Sequence, residues 1–146
     1  FAYGLAGARI GYLLGPSSDI DAFKGQVTDS RLGTLQEALA IAALTDTEHI
    51  TDLHEMTARD RDQVGAVLES FGVEVVPSHT HYLLGRFTDE KRTGEWLAKQ
   101  LLEKGIKIKH FVPVSEERYD EYFRITLGVG SENDYLCEQL SEILSQ

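Results

Sequence analysis

The residues with chemical reach in this chain are two arginines in unusual settings, five histidines and one cysteine. Arg9 ends the run Gly4-Leu5-Ala6-Gly7-Ala8, which reads either as a ligand-binding loop or as ordinary turn glycines. Arg124 sits between Phe123 and Ile125 in an alternating apolar segment. Either its charge points inward and needs a partner, or it faces the surface. His79 and His81 are two apart on an expected strand and so share a side. Two ligands with no third His or Cys suitably spaced do not make a zinc site, and we expect no bound metal. His49 and His54 are five apart on an expected helix, too far round it to face one another. Ala58 stands where a second metalloprotease histidine would be needed after His54-Glu55. His110, at a strand end, and Cys137, on the last helix, are expected to pack. Lys104, Lys107 and Lys109 form a small basic patch at a helix C-terminus, where the helix dipole favours cations.

The elements that position these residues belong to a chain of 146 residues, long enough for a real core without staples. Its apolar fraction of 42% and charged fraction of 26% are those of a globular protein. With 14 Lys and Arg against 24 Asp and Glu, the net charge is −10. Such a chain repels phosphodiester backbones and anionic membrane surfaces, so neither nucleic acid nor membrane is an expected partner. A single cysteine allows no intrachain disulfide and points to a reducing, cytoplasmic compartment. The chain opens Phe1-Ala2-Tyr3-Gly4 with neither an initiator Met nor a polar lead-in, as if from the middle of a longer sequence.

Along the chain, Arg9 to Leu14 reads as a buried strand stopped by Pro16, with Ser17-Ser18-Asp19 capping a short helix over 19–27. Thr34-Leu35-Gln36-Glu37 has the form of a capping box opening a well-buried helix, because the run Ala38 to Leu44 is apolar nearly all round. A longer amphipathic helix follows over 47–71. Ile50, Leu53, Thr57, Val64, Val67, Leu68 and Phe71 form its buried stripe, Asp52, Glu55, Arg59, Asp60 and Asp62 its wet face, and Gly72 its stop. The apolar period then falls from about 3.6 to 2. Strands are expected over 73–76, 80–87, 106–111 and 122–127, with a helix over 94–104 closed by Gly105 and a final helix capped by Ser131. The stretch Ser115 to Glu121 reads as a solvated loop. The fold class is therefore α/β to α+β, with a ββαββα lobe whose largely antiparallel sheet carries helices on one face.

The segment Ala2-Tyr3-Gly4-Leu5-Ala6-Gly7-Ala8-Arg9-Ile10-Gly11-Tyr12 closely resembles a signature of the fold type I pyridoxal-phosphate-dependent aminotransferases, nearest to the histidinol-phosphate aminotransferase branch. That family's pattern is Ser-Lys-Ala-(Phe/Tyr)-Gly-Leu-Ala-Gly-x-Arg-x-Gly-Tyr. The resemblance continues through Leu35-Gln36-Glu37-Ala38-Leu39, Tyr82-Leu83-Leu84 and Phe123-Arg124-Ile125-Thr126-Leu127-Gly128. It implies the C-terminal part of such an enzyme: the end of the large cofactor-binding domain with connecting helices over 1–46, and the small domain over 47–146.

The resemblance also implies roles. Arg9 matches the arginine on the cofactor phosphate, and Arg124 matches the arginine that clamps the substrate α-carboxylate. Both are planar forks suited to an anion. His81 falls where the family usually has a substrate-side Asn. Phe1 falls where the family has the lysine that forms an imine with the cofactor, so no catalytic residue is assigned and the chain alone is expected to be inactive. The implied activity is amino transfer between an amino acid or histidinol-phosphate-like substrate and a 2-oxo acid through pyridoxal phosphate, in a homodimer. An amino-acid-phosphate decarboxylase of the same family is one alternative. A non-catalytic dimerisation or regulatory module is the other.

Overall fold

In the computed structural model, which describes residues 3–26, 32–89, 91–112 and 119–146, the change of apolar period at Gly72 marks where helix gives way to sheet. Gly72 has φ 77°, the left-handed conformation that ends a helix without Cβ strain. Two compact units are present, Phe1–Leu53 and His54–Gln146, and the division falls within one helix. Phe1 lies outside the described residues.

The first unit holds a single 3-10 turn, Ala6–Ala8, then α1 (Ser17–Lys24), α2 (Thr34–Thr45) and the start of α3 (Thr47–Ser70). Several expectations need correction here. Residues 9–14 form no strand, and Tyr12, Leu13 and Leu14 are exposed: a strand needs an edge to pair with, and the described residues of this unit contain no other strand. Helix α1 starts two residues earlier than its polar residues suggested, with Pro16 at its N-cap. Gly33 is the N-cap of α2 and no side chain caps that helix, because Thr34 is already its first helical residue. Above all, α2 contains no buried residue, and Leu35 is 71% exposed. All-round apolarity says that a helix needs cover; it does not supply the cover.

The second unit is a small α/β domain. Helix α3 leads into β1 (Val73–Val76) and β2 (Tyr82–Phe87), then α4 (Gly94–Glu103), β3 (Lys109–His110), β4 (Tyr122–Thr126) and α5 (Gly130–Leu144). The four strands form one antiparallel sheet in the order β1-β2-β4-β3. The expected strand over 106–111 shrinks to two residues, and the last helix begins at Gly130 with Val129 as N-cap in place of Ser131. Most of the stretch 115–121 lies outside the described residues.

Alternation sorts the two faces of the sheet. Leu83, Phe87, Phe123 and Ile125 are buried against Val64 and Leu68 of α3, Leu97 and Leu101 of α4, and the apolar stripe of α5. Each such side chain contributes roughly 1.5–3 kcal/mol by leaving water. Gly85 is paired with Phe123 on this face, and a Cβ there would lie 2.5 Å from the end of the Phe123 ring. The residues between them, Tyr82, Leu84 and Arg86 on β2 and Tyr122, Arg124 and Thr126 on β4, point to the opposite, open face.

Candidate functional site

Arg124 stands on that open face, in register with Leu84 of β2 on one side and Lys109 of β3 on the other. The surface alternative for this residue is therefore the one the fold adopts: Phe123 and Ile125 go inward and the guanidinium goes out. Its Cζ lies 5.1 Å from the centroid of the Tyr82 ring, a cation–π stack that holds the fork flat on one side. Among the described residues no carboxylate pairs with it. An oriented guanidinium beside a second cation, with its outer edge unengaged by the described side chains, is suited to an anion with two oxygens in a plane.

His81 joins this group through the same tyrosine, its ring meeting the Tyr82 ring edge-on with centroids 5.2 Å apart. It is exposed, and its carbonyl accepts a hydrogen bond from the Leu127 amide at 2.9 Å, which extends the β2–β4 ladder by one bond. The turn that delivers it is tied by its own hydroxyls. Ser78 Oγ donates to the Tyr82 carbonyl at 2.9 Å and accepts from the Thr80 amide at 3.1 Å, while Arg61 Nη1 of α3 donates to the Thr80 carbonyl at 3.1 Å. Sequence gives Tyr82 no role of its own; it enters only within the strand segment Tyr82-Leu83-Leu84.

One residue beyond Leu127, the same end of β4 is anchored by a buried polar network. Asn133 Nδ2 donates to Asp60 Oδ2 at 3.0 Å and to the Gly128 carbonyl at 3.1 Å, and the Gly128 amide donates back to Asn133 Oδ1 at 2.9 Å. Glu132 accepts from the Val129 amide at 3.0 Å, closing the first turn of α5. Asp60 is thus buried at 4% exposure and not on the wet face of α3, because its carboxylate is the acceptor this amide requires.

In the first unit, Arg9 is exposed and follows the Ala6–Ala8 turn with φ 56°, its amide donating to the Ala6 carbonyl. It is the one non-glycine residue with positive φ among those described. Such a conformation costs roughly 1–2 kcal/mol, and outliers of this kind concentrate at functional positions. No described residue pairs with its guanidinium. The donor set fits a phosphate group.

Displaced titrations lie on other elements. The Arg92 guanidinium holds the Asp89 carboxyl below the usual range, and Lys99 does the same for Glu95. Glu142 holds the Lys104 ammonium up, so that this cation is paired and not part of an open basic patch. Burial pushes up the thiol of Cys137, which packs against the core.

Residues 2–140 match the profile of the family described as aminotransferase class I and II. The chain belongs to that family. Among individual relatives, this class I and II aminotransferase chain is 32% identical over 144 residues to histidinol-phosphate aminotransferase 1 of Mesorhizobium japonicum. It covers 98% of itself but only 38% of that relative. A histidinol-phosphate aminotransferase from Sinorhizobium meliloti, solved in complex with pyridoxal-5'-phosphate, superposes with a TM-score of 0.80 at 28% identity, over 99% of this chain and 39% of the other. An L-threonine-O-3-phosphate decarboxylase from Porphyromonas gingivalis gives 0.72 at 25% identity, over 99% and 44%. The chain therefore spans about two fifths of the length of the proteins it matches. The family is pyridoxal-phosphate-dependent, and no helix among the described residues is long and apolar enough to cross a membrane.

Proposed function

We infer that this chain contributes the substrate-carboxylate and cofactor-phosphate contacts of an aminotransferase acting on amino acids or a histidinol-phosphate-like amine with a 2-oxo acid as partner. The observation that carries this reading is Arg124, oriented by the Tyr82 ring on an open sheet face with no described carboxylate engaged. Arg124 clamps the substrate α-carboxylate and His81 stands beside it through Tyr82. Arg9 takes the cofactor phosphate. Pyridoxal phosphate, when bound, supplies the electron sink for moving an amino group.

Residues 1–46 belong on this reading to the large cofactor-binding domain, and 47–146, with the order ββαββα, to the small one. The working form is a cytoplasmic homodimer. Phe1 occupies the position of the imine-forming lysine, so amino transfer does not run on this chain by itself. Decarboxylation of an amino-acid phosphate is the second reading, favoured by the likeness to the P. gingivalis decarboxylase and by His81 in place of Asn.

The test is to titrate the purified chain with pyridoxal phosphate, follow the visible absorption, reduce with borohydride and map the peptides, alongside propionate binding to the Arg124→Gln variant. Propionate binding lost in Arg124→Gln, with no adduct at a defined lysine, is the expected result. Unchanged propionate affinity would remove the clamp, and a single trapped lysine would show a working imine site. Where a turnover assay can be run, carbon dioxide release separates decarboxylation from transfer.

A further inference from the structure

Where β2 and β4 leave the sheet, strand alternation turns two backbone sites away from the ladder. The Leu127 amide donates to the His81 carbonyl at 2.9 Å, the last described hydrogen bond between these two strands. Continuing the register of Tyr82 with Thr126 by two residues sets Thr80 opposite Gly128. At such a pair the backbone groups point away from the neighbouring strand and need partners elsewhere. Two consecutive residues of α3 meet that need. Arg61 Nη1 donates to the Thr80 carbonyl at 3.1 Å. Asp60 Oδ2 accepts from Asn133 Nδ2 at 3.0 Å, and the same Asn133 amide group holds both the carbonyl and the N–H of Gly128. Helix α3, whose Val64 and Leu68 lie in the core, thus ties down one strand end through each residue.

The Arg61 arm leads on to Arg124. Thr80 gives its carbonyl to Arg61 and its hydroxyl to Tyr82: Thr80 Oγ1 donates to the Tyr82 carbonyl at 3.2 Å and accepts from the Tyr82 amide at 3.3 Å. The Tyr82 ring then carries the Arg124 guanidinium at 5.1 Å. Arg61 is half-buried, and among the described residues no carboxylate pairs with it, so its described acceptor is this one carbonyl. A charged donor makes such a bond roughly twice as strong as a neutral one. A binding group has to be held within about 0.5 Å of its productive place by neighbours that are themselves fixed. We propose that Arg61 is a positioning residue for the substrate carboxylate. It touches no substrate; it fixes the turn that seats Tyr82, and Tyr82 sets the plane of the Arg124 fork. The proposal rests on the carboxylate reading of Arg124 and extends it to a residue on the far side of the sheet.

The test titrates propionate into the purified 146-residue chain by heteronuclear NMR, with Arg61→Met, Arg61→Lys, Tyr82→Leu and the double variant Arg61→Met with Tyr82→Leu. Met keeps the aliphatic stem without the donors, and Lys restores a charged donor for the single carbonyl. Urea unfolding shows that each variant is folded during the titration, and Arg61→Gln replaces Arg61→Met where that variant is not. Expected is a severalfold weaker affinity in Arg61→Met, no larger than the loss in Tyr82→Leu, with most of it regained in Arg61→Lys. The Arg124 side-chain resonances should lose part of their ring-current shift from Tyr82 in Arg61→Met and keep it in Arg61→Lys. Lowered stability alone gives no such signature. With Tyr82→Leu already present, Arg61→Met should weaken binding no further, because the path runs through the ring. Unchanged affinity or an unchanged ring-current shift in Arg61→Met, or losses that multiply in the double variant, overturn the positioning role and leave the Arg124 reading intact. A parent chain that binds no propionate removes both.

Discussion

The Arg124 guanidinium lies 5.1 Å from the centroid of the Tyr82 ring, across the β2–β4 pair and on the face of the sheet opposite the buried core. The ring restricts the fork to one plane without neutralising it, which a carboxylate neighbour would do. Tyr82→Leu should therefore weaken propionate binding severalfold, matching a cation–π term of about 0.5–2 kcal/mol. Tyr82→Phe should bind as the parent chain does, since the quadrupole and not the hydroxyl does the holding. A Phe variant as weak as the Leu variant, read by NMR titration, would show that the hydroxyl matters and the stack does not.

Asn133 and Asp60 carry the second expectation. Both are almost wholly buried, and the amide satisfies the carboxylate and the Gly128 carbonyl at once. Removing the amide strands a buried carboxylate whose other described partner is the exposed Arg59, 3.5 Å away. Asn133→Ala should lower unfolding free energy in urea by about 2–4 kcal/mol. The double variant with Asp60→Asn should recover part of that loss, because no charge is then left buried. A strictly additive pair would rule out the coupling.

The contrast between these two groups shows what was legible beforehand. Local alternation narrowed Arg124 to two placements, inward with a partner or outward, and the burial of Phe123 and Ile125 selects the outward one. The period change at Gly72 located the sheet for the same reason. Asp60 could not be placed: its partner is 73 residues away, and on a helical wheel it falls among solvated charges. The failed strand over residues 9–14 and the exposed α2 share a different cause. Their composition records a demand for neighbours, and neighbours are not a local property. Tyr82 was invisible as a support for Arg124 because the β2–β4 register, not any motif, brings the two together.

Gly85 tests the core face. A Cβ at this position would lie 2.5 Å from the Phe123 ring, which is fully buried and also touches Phe87 at a centroid distance of 5.2 Å. The ring therefore has little room to yield. Gly85→Ala should cost about 1–3 kcal/mol of stability by overpacking. Pairing it with Phe123→Leu should relieve part of the clash. If Gly85→Ala unfolds at the same urea midpoint as the parent, β2 and β4 pack less closely than described.

Asp89 gives the pH dependence. Its Oδ2 accepts from Arg92 Nε at 2.7 Å, and its Oδ1 accepts from the backbone amides of Lys91 and Arg92, each at 2.9 Å. These donors favour the carboxylate, and Arg92 is the largest cause of a folded-state pKa held below 3.8. The unfolded chain then binds the proton more readily than the folded one, so this group's contribution to stability is fully present above its ordinary pKa. It is lost as pH falls from there through the depressed folded value. Asp89→Asn should therefore lower stability at pH 7 by about 1 kcal/mol, the usual worth of such bonds. The gap should close as the pH drops below that range. Paired urea titrations of the two chains at neutral and acid pH measure it, and a gap that stays constant across the range would show that the carboxylate's charge contributes nothing.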